Sequence, residues 1–157
     1  MPLDQTDRLI LRALEQDGRT GFSALAERVG LSKTPCWNRV QSLERTGVIK
    51  GYRAILDQIS LGVSLNAFVQ VVAAVDKHKA FEDAVASHPA ILACYTTAGD
   101  GDYLLHVAVA SVNGLDAFLR HDLSQLPGVQ RCSTIVCLNT IKDNGPLTAA
   151  AMRMAVA

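Results

Sequence analysis

The chain has 157 residues, 49% of them apolar, with 15 Lys+Arg against 15 Asp+Glu and a formal net charge of +0. That length holds one domain or two small ones around a real core, and no run of 18 apolar residues is present to span a membrane. The opening Met1-Pro2-Leu3-Asp4 has neither a basic start nor an apolar stretch, so no secretory signal is expected and the expected location is the cytoplasm.

The zero net charge hides an asymmetry. Residues 1–60 carry nine Lys/Arg and seven Asp/Glu, whereas residues 61–157 carry six and eight. Between Arg28 and Arg53 stand six cations and one anion, Glu44. A local excess of this kind suggests a polyanionic partner for the first third of the chain. Four cysteines, Cys36, Cys94, Cys132 and Cys137, form no C-x-x-C pair and lie at no metal spacing to histidine. They read as small apolar residues in a reducing compartment, so no metal or cofactor is expected.

The first third repeats in threes and fours. Asp4 is placed to cap a helix, with Asp7 three residues later and Ile10, Ala13 and Leu14 as the apolar stripe. Asp17-Gly18 stops it. A second helix is predicted over Ser23–Val29, burying Leu25, Ala26 and Val29. It ends at Gly30, with Leu31 placed to pack back as in a glycine C-cap. A third runs to about Thr46, with Gly47 as its stop. Three short helices with a tight turn between the second and third suggest helix-turn-helix.

On the third helix, at about 100° per residue, Cys36, Val40 and Leu43 fall on one side and face the core. Thr34, Asn38, Gln41 and Arg45 form another face, bordered by Lys33 and Trp37. Asn and Gln donate to and accept from base edges, notably adenine; Thr bonds a base or touches the thymine methyl; Arg suits guanine or phosphate. Pro35 fits the first turn, where its missing N–H breaks no helical bond. It is N1 if Thr34 caps the helix and N3 if Ser32 does. Trp37 either packs against a neighbouring helix or touches DNA. The candidate DNA-binding set is therefore Ser32, Lys33, Thr34 and Pro35 from the start of the helix, with Trp37, Asn38, Gln41 and Arg45 farther along.

After Gly47 the period becomes two. Val48–Leu56 is predicted as a strand bent at Gly51, and Asp57–Ser64 as a linker. The expected organisation is a DNA-binding domain over 1–50, strand and linker over 51–64 and a second domain over 65–157. The second domain contains an echo: Ala80–Cys94 aligns with Phe118–Cys132 at an offset of 38, matching Pro89 to Pro127 and Cys94 to Cys132. Each copy is helix, turn and strand, preceded by a further strand (Asn66–Val75 and Tyr103–Val109), and the second helix is expected over Leu115–Leu126. The order is βαββαβ, the ferredoxin-like arrangement, which makes the whole chain α+β. The strands are apolar on both faces, whereas helices cover only one, so a second subunit is expected on the other.

Ala98-Gly99-Asp100-Gly101-Asp102 separates two strands and reads first as a turn. Its carboxylates Asp100 and Asp102 can hold an α-ammonium group, while glycine amides such as that of Gly99 approach an α-carboxylate. His106, His121 and Tyr103 supply neither a nucleophile–base pair nor metal spacing, so no enzyme is expected. An architectural DNA protein without a ligand is the remaining alternative.

Leu3-Asp4-x-x-Asp7, Asp17-Gly18-Arg19, Leu25-Ala26-x-x-Val29-Gly30-Leu31-Ser32, Arg39-Val40-x-x-Leu43-Glu44-x-x-Gly47-Val48-Ile49-x-Gly51-Tyr52, Gly99-Asp100-Gly101-Asp102-Tyr103-Leu104-Leu105 and Leu126-Pro127-Gly128-Val129 together closely resemble the Lrp/AsnC (leucine-responsive, feast/famine) transcription regulators. The resemblance implies a winged helix-turn-helix followed by a ferredoxin-like effector domain, in a regulator of amino-acid metabolism. It also implies double-stranded DNA as partner, an amino acid as effector, homodimers assembling to tetramers or octamers, and a place in the bacterial or archaeal cytoplasm or nucleoid. It puts the effector between dimers near the Gly99–Asp102 loop, with Thr97 and Thr134 lining the pocket.

Overall fold

A computed structural model describes residues 3–154. The chain divides into two compact units, one made of residues up to Ile55 together with those from Lys142 onward, the other Leu56–Ile141. The C-terminal segment from Lys142 onward groups with the first unit.

In the first unit, α1 spans Gln5–Gln16, α2 Phe22–Arg28 and α3 Lys33–Arg45. The cap expected at Asp4 is a reciprocal box: the Asp7 amide donates to the Asp4 carboxylate at 2.7 Å and the Asp4 amide to that of Asp7 at 3.2 Å. Helices α2 and α3 end in the same way. Gly30 (φ +68°) and Gly47 (φ +74°) take the left-handed conformation. The next amide then reaches back, Leu31 to the Ala26 carbonyl (2.9 Å) and Val48 to that of Leu43 (3.0 Å). Ile10, Ala13, Leu25, Ala26, Cys36, Val40 and Leu43 form one buried cluster, with Val29, Leu31 and Ile49 packed against it.

Residues 48–56 do not form the expected strand. The amides of both Val48 and Ile49 donate to the Leu43 carbonyl (3.0 and 3.1 Å), so these residues finish α3 instead of starting a ladder. Gly51 then turns the chain at φ +152°, and Ile55 is left 89% exposed.

The second unit is a four-stranded antiparallel sheet of β1 (Leu65–Ala73), β2 (Ile91–Thr96), β3 (Tyr103–Val109) and β4 (Val129–Val136), in the order β2-β3-β1-β4. Helix α4 (His78–Ala86) and α5 (Val112–Ala117) occupy the two crossovers, so the 38-residue echo is two βαβ units in ferredoxin-like order. The helix expected over Leu115–Leu126 is not uniform. It continues beyond α5 through a wide π turn (Phe118–Asp122) and a tight 3₁₀ turn (Leu123–Gln125). The Leu123 amide donates five residues back to Phe118, and the extra residue per turn brings both side chains into the core.

Pairing register assigns the two sheet faces. Val69, Val71, Leu105 and Val107 lie under the helices with Phe81, Val85, Leu115 and Phe118. Tyr103 is buried there and donates to Glu82 at 2.9 Å. Phe68, Val72, Leu104, Tyr95 and Ile135 occupy the opposite face, where Phe68 stacks on His106 with ring centroids 5.0 Å apart. His106 also bonds Asn66 at 3.0 Å, which engages this histidine within the sheet face.

The last element, α6 (Leu147–Met154), belongs to the first unit. Its N-terminus is capped by a side chain from α1: Glu15 accepts from the amides of Leu147 (2.6 Å) and Thr148 (3.0 Å) and from the Thr148 hydroxyl (2.5 Å). Burial pushes the Glu15 carboxyl up, but these three donors outweigh it and hold the net pKa below the usual value. Among the described residues, no helix is long and apolar enough to cross a membrane.

Candidate nucleic-acid interface and effector loop

Helix α3 presents two unlike sides. Cys36, Val40 and Leu43 are buried at 0%, 1% and 4% exposure. Lys33, Thr34, Pro35, Trp37, Asn38, Gln41 and Arg45 are all exposed, as is Ser32 before them. The N-cap is Ser32, with the Cys36 amide donating to its carbonyl at 3.2 Å. Pro35 is thus at N3, one of the first-turn positions whose N–H has no helical partner. Trp37, with two expected environments, is 46% exposed instead of packed on a neighbouring helix.

One cation of this region is not free. Arg39 Nη1 lies 2.6 Å from Asp4 Oδ2 and 2.8 Å from Asp7 Oδ1, joining α3 to the capping box of α1. The Asp7 amide first, and Arg39 next, hold the Asp4 carboxyl below its usual range. Lys33 and Arg45 remain exposed on the outer side, while Asn38 borders an open cavity of about 540 Å³ with Asp4, Asp7, Ser42 and Thr46. A second network involves Gln41. Its Nε2 donates to Glu44 Oε2 at 2.8 Å, and the Tyr52 hydroxyl donates to Glu44 Oε1 at 2.9 Å.

The acidic loop between β2 and β3 is closely braced. The Thr97 amide donates to the Asp102 carbonyl (2.8 Å), its hydroxyl to the Gly101 carbonyl (2.6 Å), and the Asp102 amide to the Val71 carbonyl (2.9 Å). The Asp102 carboxylate accepts from the Ala73 amide at 2.8 Å and so ties the loop to the end of β1. Gly99 sits at φ +149°. A Cβ on Gly101 would come within 2.4 Å of Gln70 Cγ, so a larger residue there would displace the Gln70 side chain.

The five candidate effector residues therefore differ in their surroundings. Thr97 and Asp102 are engaged in holding the loop, and Gly99 shapes it. Asp100 lines a cavity of about 190 Å³ with Gln70, Val72, Arg131, Cys132 and Ser133. Thr134 pairs with Val69 and faces the helix-covered side of the sheet, whereas Gln70, Arg131 and Ser133 are on the opposite face. Arg131 donates to the Asp100 carbonyl at 3.2 Å. Gln70, Arg131 and Ser133 were not among the expected residues. Their signal was present as polar residues in neighbouring strand positions of one sheet face, Gln70 opposite Ser133 and Arg131 opposite Val72.

The family description "Lrp/AsnC ligand binding domain" matches residues 66–147, and "Winged helix-turn-helix DNA-binding" matches residues 3–50. The leucine-responsive regulatory protein of Escherichia coli (strain K12) is 40% identical over 148 residues, which cover 92% of this chain and 90% of that protein. Among solved structures, a transcriptional regulator of Neisseria meningitidis in complex with L-Met aligns at TM-score 0.89 and 34% identity, over 93% of this chain and 96% of that one. An AsnC family transcriptional regulator from Agrobacterium tumefaciens aligns at 0.88 and 34%, over 95% and 99%. With both units matched at this coverage, the chain belongs to the Lrp/AsnC family: it is a DNA-binding transcriptional regulator with a ligand-binding second domain, not an enzyme.

Proposed function

We propose that this regulator reads double-stranded DNA with the outward side of α3 and answers to an amino acid bound beside the Asp100 loop, controlling genes of amino-acid metabolism from the cytoplasm. The observation that carries the reading is the division of α3: Thr34, Asn38, Gln41 and Arg45 are exposed together while Cys36, Val40 and Leu43 are in the core. Lys33, Ser32, Pro35 and Trp37 stand at the end of the helix that enters a major groove in helix-turn-helix proteins. DNA reading resides in residues 1–50, residues 51–64 connect, and the sheet unit supplies effector binding and assembly.

The effector site is the cavity at Asp100. Its carboxylate suits an α-ammonium group, and Arg131 across the cavity suits an α-carboxylate. The Neisseria meningitidis relative holds L-Met and the Escherichia coli relative is named for leucine, so both lead the panel of candidates. The apolar outer face of the sheet, with Phe68, Tyr95 and Ile135, supports a homodimer in which a second copy covers it, with dimers assembling further to tetramers or octamers. A ligand regulates only if it binds two assemblies or conformations unequally.

The test is footprinting on DNA selected by the protein from a random pool, with and without the amino-acid panel, alongside light scattering for assembly size. The proposal expects paired half-sites spaced by about one helical turn or a multiple, and a pattern that changes with one or a few amino acids. Protection without sequence choice that ignores every amino acid overturns it in favour of an architectural protein.

A further inference from the structure

Tyr52 is outside α3, yet its hydroxyl reaches back to the helix. Its ring passes over Gly18, where even a Cβ would lie 3.3 Å from Cδ1. Burial first and Glu44 next push its pKa up to about 12, so the phenol keeps its proton and donates at neutral pH. The acceptor is Glu44 Oε1 at 2.9 Å, while Glu44 Oε2 takes the Gln41 amide at 2.8 Å. A carboxylate only accepts, so Glu44 determines which end of the Gln41 carboxamide is nitrogen. One N–H of Gln41 is engaged, leaving the second N–H and the carbonyl oxygen. A bidentate contact to adenine uses one donor and one acceptor from the same amide.

We propose that Glu44 and Tyr52 are positioning residues for base readout: the Tyr52–Glu44–Gln41 chain fixes the Gln41 carboxamide so that its oxygen and remaining N–H select adenine at one position of the half-site. This rests on the reading of α3 as the DNA-contacting helix. A glutamine on an exposed helix otherwise rotates among rotamers and presents either end of its amide to a base. The chain lowers the ordering cost of the contact. It also assigns a purpose to a tyrosine that neither the core nor the base-contacting face accounts for.

The experiment selects binding sites from a random DNA pool with the full-length protein and with Gln41→Ala, locating the position where adenine preference depends on Gln41. Competition at that position is then measured for Tyr52→Phe, Glu44→Gln and the double variant Gln41→Ala/Tyr52→Phe, together with non-specific affinity, salt dependence and melting temperature. Tyr52→Phe keeps the ring over Gly18 and removes only the hydroxyl. The expected result is a loss of about tenfold in adenine preference for Gln41→Ala. Tyr52→Phe and Glu44→Gln each lose a sizeable part of it, and the double variant loses no more than Gln41→Ala alone. Tyr52→Phe leaves non-specific affinity and salt slope unchanged. Full adenine preference in Tyr52→Phe, or a loss equal at every base, overturns the positioning role while leaving the α3 reading intact. A Gln41→Ala protein with unaltered choice at every position overturns both this inference and the assignment of Gln41 as a base contact.

Discussion

The guanidinium of Arg39 on α3 lies 2.8 Å from the carboxylate of Asp7 on α1, whose amide is itself engaged by Asp4. One arginine thus ties the helix proposed to read DNA to the capping box of α1. Arg39 and Arg45 are both cations of α3, yet they have opposite expected roles. If Arg45 contacts phosphate, Arg45→Ala should weaken binding to all sequences and reduce the slope of log affinity against log salt by about one. Arg39→Ala should lower the melting temperature and leave that slope unchanged. Filter binding across a salt series, with thermal denaturation alongside, separates the two.

The same cluster sets an acid limit. Folding lowers the Asp4 carboxyl below its ordinary 3.8, through the Asp7 amide first and Arg39 second. A group with a depressed folded pKa contributes stability that is fully present above its unfolded value and disappears as the pH falls through the folded one. Melting temperature should therefore decline below about pH 4, and Asp4→Asn should already have lost this contribution at neutral pH and show a shallower decline. Calorimetric melting from pH 7 to pH 3 measures both. An identical decline in the variant would remove Asp4 from the acid response.

Glu15 supplies the only side-chain cap of α6 among the described contacts, through the amides of Leu147 and Thr148. Removing such a cap costs a helix about 1 kcal/mol. In Glu15→Ala the helix should open more often, seen as faster amide exchange over residues 147–154 and earlier proteolytic trimming. Exchange elsewhere in α1 should be little changed. Unaltered protection of α6 would mean that its packing alone holds it.

Arg131 tests the effector cavity from the sheet side, through β4. Calorimetry with L-leucine, L-methionine and the other amino acids should show Arg131→Ala binding the effector about tenfold more weakly, the cost of one charge-assisted hydrogen bond. Asp100→Ala should behave similarly, whereas Thr134→Val, on the other face of the sheet, should bind normally. Equal losses in all three would point to damage of the sheet instead of loss of a contact.

What was legible in the sequence was mostly local. Asp4 and Asp7 announce a capping box because the two partners are three residues apart, and Gly30 and Gly47 announce helix ends because only the following one or two amides complete the motif. The βαβ pair was legible through its repetition at 38 residues. Failures came where distant residues decide. Val48 and Ile49 alternate like a strand, but the Leu43 carbonyl takes their amides. The two carboxylates that engage Arg39 come from the capping box of α1, more than thirty residues away. The sheet face that Thr134 occupies is decided by the β1–β4 register, which no local pattern carries. The π turn after α5, with Phe118 and Leu123 both buried, breaks the regular helix that the apolar spacing predicts.

The most direct measurement is the ratio of specific to non-specific DNA affinity, at one fixed salt concentration, for the unmodified chain and for Asn38→Ala/Gln41→Ala. Both side chains are exposed, so the variant should melt at nearly the same temperature. If the outer side of α3 reads bases, the ratio falls by about a hundredfold while non-specific binding is retained. An unchanged ratio in a folded variant would contradict that role for the helix.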